Sequence, residues 1–194
     1  MDTTKPTVDE RYTRASNSRN LTVKEIQSGD ADVLIAAGWS RSRIGAALLR
    51  LHSEWDSAEK PRLSREVAKD QAREWLLHEQ GMLLGKLKSL PNVRHLVIDH
   101  CTRKWHWDRA ESKAPAVLLW WLDSTCPDCH GTRYEVIQGT NRQSAKACRT
   151  CGGTGTRTLP HGQEGKRLAN WLDECVEQAR KQIAGHLRFT QRRD

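Results

Sequence analysis

The sequence predicts a mainly α protein, a helical bundle interrupted by one small β-hairpin module. Three observations predict it. Apolar residues recur at three- and four-residue steps between residues 30 and 124 and again beyond residue 161, the spacing of one buried helical face. The stretch TRYEVIQG (132–139) instead alternates and carries β-branched residues, as a short hairpin does. That stretch lies between two Cys-x-x-Cys pairs, at Cys126 and Cys129 and at Cys148 and Cys151.

In chain order, residues 1–29 are rich in Thr, Ser, Asn, Arg and acids and poor in large apolar side chains, so a flexible polar tail is expected there. A helical domain spans 30–124. Its first helix is short, with Asp30 or Asp32 as N-cap and Gly38 as its end. A second starts at Ser40 with the stripe Ile44, Ala47, Leu48, Leu51 and Trp55. Pro61 and an N-cap at Ser64 open a long helix with the stripe Val67, Ala72, Trp75, Leu76, Leu83, Leu87 and Leu90, bent at Gly81. After Pro91 comes a helix carrying Val93, Leu96, Val97, Cys101 and Trp105, and after Pro115 a short core helix from the run VLLWWLD. The cysteine module occupies 125–160. Residues 161–194 return to helix after Gly165, with Leu168, Trp171, Leu172, Cys175, Val176, Ala179, Ile183 and Leu187 on one face that packs back on the helical domain.

The two cysteine pairs are the most specific signal in the chain. Four thiolates are what a tetrahedral structural zinc takes, and a two-residue spacer lets both sulfurs of a pair reach one metal. One zinc ion is therefore placed on Cys126, Cys129, Cys148 and Cys151. Gly131, Gly153 and Gly155 stand just beyond the pairs, where the chain must turn under the metal and positive φ is cheapest without a Cβ. The competing readings are two disulfides or four unrelated buried thiols. Cys101 and Cys175 sit at apolar helical positions and are read as core.

Charge points to a partner. Thirty-two Lys and Arg against 24 Asp and Glu leave +8, a balance that favours a polyanion. The excess is +4 over residues 61–110, ten basic against six acidic, and +3 over 126–160, five against two. LIAAGWSRSRIGAALL (34–49) has the punctuation of a helix-turn-helix that would present Arg41 and Arg43 at the start of its second helix, to guanine edges or phosphates. An ordinary αα-hairpin is the alternative. Arg142, Lys146, Arg149 and Arg157 on the cysteine module, and Lys166 and Arg167 at the mouth of the last helix, complete a set of candidate DNA contacts, against a merely solvated basic face. Of eight tryptophans, Trp39, Trp55, Trp75, Trp120, Trp121 and Trp171 are read as core. Trp105 and Trp107 point about 200° apart on a helix, so one of them is left to face a protein partner or a base.

Catalysis finds little support. His78-Glu79 begins a zinc-protease motif that fails at Met82, the residues from Gly38 fail as a nucleophile elbow at Ser42, and Gly81 to Lys86 is one residue short of a phosphate-binding loop. A four-sulfur zinc leaves no open position for water. No run of eighteen apolar residues exists to span a membrane, and reduced thiols fit a cytoplasmic compartment.

The repeated cysteine-glycine unit resembles the zinc module of DnaJ-type chaperones, although Arg133 stands where the last glycine of the first unit is expected and no His-Pro-Asp tripeptide is present. In full order, the segment ADVLIAAGWSRSRIGAALL (31–49), the helical middle, CPDCHGTR (126–133) and CRTCGGTG (148–155) resemble the lambda-type (Q-type) late-gene antitermination proteins of lambdoid phages, over roughly residues 30–187. That resemblance implies a DNA-binding transcription regulator and not an enzyme. Its partners would be double-stranded DNA near a late promoter and host RNA polymerase with its sigma factor, in the bacterial host cytoplasm, and its effect readthrough of terminators. The four cysteines carry over as ligands of one zinc. The alternative, implied by the chaperone resemblance, is a zinc-module protein that binds unfolded or partner proteins.

Overall fold

A computed structural model of the chain describes residues 6–18, 30–58, 81–136 and 143–190. It is mainly helical, with helices α1 (Val8–Asn17), α2 (Asp30–Gly38), α3 (Arg43–Ser57), α4 (Leu90–Trp105), α5 (Ala110–Leu122) and α6 (Gly162–Thr190), and residues 81–86 also helical. One two-stranded antiparallel sheet joins β1 (Tyr134–Val136) to β2 (Gln143–Ala147), pairing Tyr134 with Ala147 and Val136 with Gln143. The expected mainly α class with one small hairpin is thus observed. Among the described residues no helix is long and apolar enough to cross a membrane. The chain divides into two compact units. One comprises Met1–Lys60, Gln80–Leu96 and Asn170–Asp194, the other Pro61–Glu79 and Val97–Ala169.

In the first unit, α1 lies inside the segment expected as a flexible tail. Thr7 and Glu10 form a reciprocal capping box, the Glu10 N–H donating to Thr7 Oγ1 at 3.3 Å and the Thr7 N–H to Glu10 Oε2 at 2.7 Å. Only Tyr12 and Ala15 are buried, so polar contacts do the rest. Arg180 of α6 grips both carboxylate oxygens of Asp9, Arg14 meets Asp30 at 3.1 Å, and Asn17 donates to Ser57 Oγ at 2.8 Å. Counting apolar side chains alone misses a helix held this way.

Helices α2 and α3 follow one another across a short turn, with Ser42 as the N-cap of α3, accepting the Gly45 N–H at 3.3 Å. Leu48, Leu51 and Trp55 are buried as the stripe requires, joined by Gly45 and Leu49. Gly45 is where α6 comes closest. A Cβ there would fall 2.2 Å from the Cys175 carbonyl oxygen and 2.9 Å from the Ala179 Cβ. Past α3, Leu83 and Leu87 are buried as expected, but the predicted long helix ends at residue 86 and Leu90 opens α4 instead; the part of it before Gly81, including its Ser64 cap and Trp75, lies outside the described residues. Glu54 accepts from the Ser89 N–H (2.9 Å) and hydroxyl (2.8 Å), placing a carboxylate just ahead of α4, where the helix dipole favours one. Trp39, expected in the core, is instead 69 % exposed.

In the second unit, α5 begins at Ala110 and passes through Pro115, five residues earlier than its proline suggested. Buried Ala110, Ala114, Val117, Leu118 and Leu122 hold it there despite the missing N–H. Helix α6 likewise starts at Gly162, and Gly165 is buried so tightly that a Cβ would fall 1.9 Å from the Pro160 carbonyl oxygen. The tryptophan geometry also departs from expectation. Helix α4 stops at Trp105, His106 turns the chain at φ 53°, and Trp107 comes back under it, with the two rings 5.4 Å apart and Trp107 buried. Neither is held at the angle a continuous helix would impose.

Cys101 and Cys175 are core thiols, as read from their spacing. Burial pushes Cys101 up to about 12 and Cys175 up to about 11, helped by the nearby Glu164 and Glu174 carboxylates respectively.

The close approach at Gly45 generates a prediction. Gly45→Ala lowers the unfolding free energy by about 1–3 kcal/mol, because the new methyl must displace helix backbone. Gly185→Ala, on the exposed face of α6 with open space around it, raises stability by about 0.5–1 kcal/mol through helix propensity. Urea unfolding of the two variants checks the opposite signs.

Candidate metal centre

The centre is assembled from two turns that repeat at an offset of 22 residues. Each runs Cys-x-x-Cys-x-Gly-Thr, at Cys126 to Thr132 and at Cys148 to Thr154. In each, the carbonyl of the second cysteine accepts from the threonine N–H and hydroxyl: Thr132 on Cys129 at 2.9 and 2.7 Å, Thr154 on Cys151 at 3.1 and 2.8 Å. The two turns then exchange a bond. The Cys126 N–H donates to the Gly155 carbonyl and the Cys148 N–H to the Arg133 carbonyl, both at 2.9 Å. Asp128 accepts from the Thr150 hydroxyl, and Thr125 and Thr156 form an isolated bridge, so the turns are stitched at several levels.

Left-handed backbone is required where glycine was expected to supply it. Gly131, Gly153 and Gly155 have φ of 81°, 83° and 81°. Arg133, in the place of the fourth glycine, keeps the same turn at φ 73° rather than loosening it. This costs about 1–2 kcal/mol, and its carbonyl is the one that receives Cys148. Gly155 has a second reason to lack a side chain: a Cβ there would lie 2.9 Å from the Gly131 oxygen.

All four Sγ atoms lie within 4.8 Å of one another, with Cys126 to Cys148 at 4.0 Å and Cys129 to Cys151 at 3.7 Å. A tetrahedral zinc with Zn–S bonds of about 2.3 Å has sulfur–sulfur edges of about 3.8 Å. A disulfide needs about 2.05 Å, and every cysteine here is a free thiol. The donor set therefore fits a metal such as zinc and does not form the pair of disulfides that the spacing alone left open. Among the described residues the cluster is its own buried interior: Cys126, Cys129 and Cys148 are buried together with Cys151 against them, and no other described apolar side chain joins them.

The backbone is already aimed at thiolate. Burial pushes the Cys126 thiol up to about 11, with the Cys129 and Asp128 N–H groups pulling the other way. Burial also opposes ionisation of Cys151, but the N–H groups of Gly155 (3.2 Å from Sγ) and Gly153 and the thiols of Cys129 and Cys148 bring it down to about 6.

Of the eight cations expected at DNA, Arg142 lies outside the described residues. Lys146 and Lys166 are exposed. Arg149, also exposed, meets Glu135 at 3.0 Å. Arg167 stacks 4.5 Å above the Trp105 ring. Arg157 turns inward: its guanidinium donates to the Asp123 carbonyl, its Nε is buried without a partner, and its own carbonyl accepts Trp120 Nε1 at 2.8 Å. It ties the cysteine module to the end of α5. Arg41 and Arg43 are exposed in the first unit, on either side of the Ser42 cap, and make no ion pair among the described residues.

The residue that organises those two arginines, Gln182, gave no sequence signal. Its Oε1 accepts from the Ser40 hydroxyl (2.8 Å), the Arg41 N–H (2.9 Å) and the Ser42 N–H (3.4 Å). The threonines of the cysteine turns did leave one, since Thr follows each second cysteine by three residues. Comparison with protein-family profiles, with curated proteins and with solved structures finds no match to this chain.

Two measurements test the centre. Removing metal with a strong chelator is expected to raise amide exchange at Cys126 and Cys148 at least a hundredfold, equivalent to about 2.7 kcal/mol at 1.36 kcal/mol per decade, while α3 and the C-terminal half of α6 keep their protection. A cysteine thiol freed from the metal has an ordinary pKa of about 8.5, so it is mostly protonated at pH 7 and must lose that proton to ligate. Zinc binding at pH 7 therefore releases at least one proton, and affinity rises with pH. Calorimetry in two buffers of different ionisation enthalpy reads that proton directly.

Proposed function

We propose that this chain is a late-gene transcription antiterminator whose four cysteines hold one structural zinc. It binds promoter DNA, joins host RNA polymerase and its sigma factor, and lets the polymerase pass terminators. The observation that carries the DNA part is the turn between α2 and α3: two exposed guanidiniums, Arg41 and Arg43, flank the N-terminus of α3, and Gln182 holds the backbone that presents them. A helix N-terminus with fixed cations beside it favours phosphate and can reach base edges in a groove. The +8 net charge adds long-range attraction.

The order of elements supports the rest of the reading. Two helices across a short turn, a helical middle and two glycine-rich cysteine units follow one another as in the late antitermination proteins that the sequence resembles. A metal fully enclosed by sulfur favours a structural over a catalytic role, and among the described residues of the cysteine module the buried cluster consists of the cysteines alone. Function as a regulator in the bacterial cytoplasm follows from that resemblance. The chaperone-like alternative would use an apolar client groove and would be insensitive to salt.

A transcription assay on a template bearing the late promoter and a downstream terminator is expected to show readthrough only when the chain is added. Arg41→Ala with Arg43→Ala reduces it and lowers the slope of log affinity against log salt by about 2, near 0.9 for each phosphate that is no longer neutralised. Binding that ignores salt, with no added readthrough, would favour the protein-binding alternative.

A further inference from the structure

Trp39 stands out among the tryptophans of known placement. It is 69 % exposed, where Trp55 and Trp107 are buried, and Ile35, one helical turn before it on α2, is 49 % exposed. Yet it is held. Its N–H donates to the Ile35 carbonyl at 3.0 Å and its ring meets His186 of α6 edge-on, with centroids 6.0 Å apart and planes at 79°. The next three residues are clamped by Gln182. Arg41 and Arg43 follow two and four positions later, exposed and without a carboxylate partner among the described residues.

A ligand for this patch must offer a flat π face and negative charge within a few residues' reach. Among the described residues, a protein partner of the usual apolar kind would find two exposed large apolar side chains here and, beside them, two guanidiniums without an ion pair. A nucleic acid offers both features, but a closed duplex keeps its base faces stacked inside. We propose that Trp39 stacks on an unpaired nucleic-acid base while Arg41 and Arg43 hold the adjoining phosphates, so that this turn prefers an opened or single-stranded segment over a closed duplex. Stacking on an aromatic ring tolerates any base, and guanidiniums track the backbone, so the site reads strand opening more than sequence. This inference rests on the nucleic-acid reading above and narrows its ligand.

The test uses the full zinc-loaded chain and three labelled oligonucleotides of one sequence: a closed duplex, the same duplex with a central unpaired bubble, and the single strand. Fluorescence anisotropy at fixed salt is expected to show the bubble and the single strand bound at least fivefold more tightly than the duplex. Trp39→Ala loses about 5- to 100-fold on the opened ligands and less than twofold on the duplex, and Trp39→Phe, which keeps an aromatic face, retains most of the affinity. Thermal melting of both variants should match the parent, since the side chain is exposed. Equal losses on all three ligands, or none, would overturn the stacking role while leaving duplex binding intact. Loss of polymerase binding with oligonucleotide affinities unchanged would make the patch a protein contact and overturn it too. If no oligonucleotide binds at all, the DNA reading and the stacking role fall together.

Discussion

Among the described residues between Cys126 and Cys151, the buried interior is Cys126, Cys129 and Cys148 with Cys151 packed against them. A two-stranded hairpin of three and five residues is marginal by itself in water, and no described apolar side chain from its strands joins that interior. The left-handed turns, one of them on Arg133, add a cost of their own. Attraction of four thiolates to one bound cation would offset these, reinforced by the crossed bonds from Cys126 to Gly155 and from Cys148 to Arg133. Structural zinc sites supply roughly 10–16 kcal/mol of apparent binding energy, far more than the strain they must absorb. On the proposed zinc reading, fold and metal are one equilibrium in this part of the chain.

The α2–α3 turn follows a different logic. There the backbone is positioned by one uncharged side chain from a distant helix, Gln182, and the helix beneath is pressed against α6 at Gly45 with no room for a methyl. Rigidity comes from packing, and the charged and aromatic groups Trp39, Arg41 and Arg43 are left outside it. The indole is left exposed, and among the described residues the two cations have no ion-pair partner.

The parts of the molecule legible in the sequence are those set by short-range chemistry. The metal ligands, the glycines with positive φ, the hairpin and the buried stripes of α3, α4 and α6 all follow from spacing, because period and ligand geometry act within a few residues. Long-range polar contacts were not legible. Helix α1 depends on Arg180, 171 positions away from Asp9, though its Thr7–Glu10 capping box was visible in principle. Arg157 reads as a surface cation until the Asp123 carbonyl is found against it, and Trp39 reads as core until the structure leaves it 69 % exposed with its ring edge on His186. Helix starts were misjudged at Pro115 and Gly165, where burial overrode local propensity.

The most direct test of the central claim is X-ray absorption at the zinc edge of the metal-loaded protein. Four sulfur neighbours at about 2.3 Å, with no nitrogen or oxygen in the shell, is the result required by the cluster of Cys126, Cys129, Cys148 and Cys151. A shell containing a water or a histidine nitrogen, or fewer than four sulfurs, would contradict it.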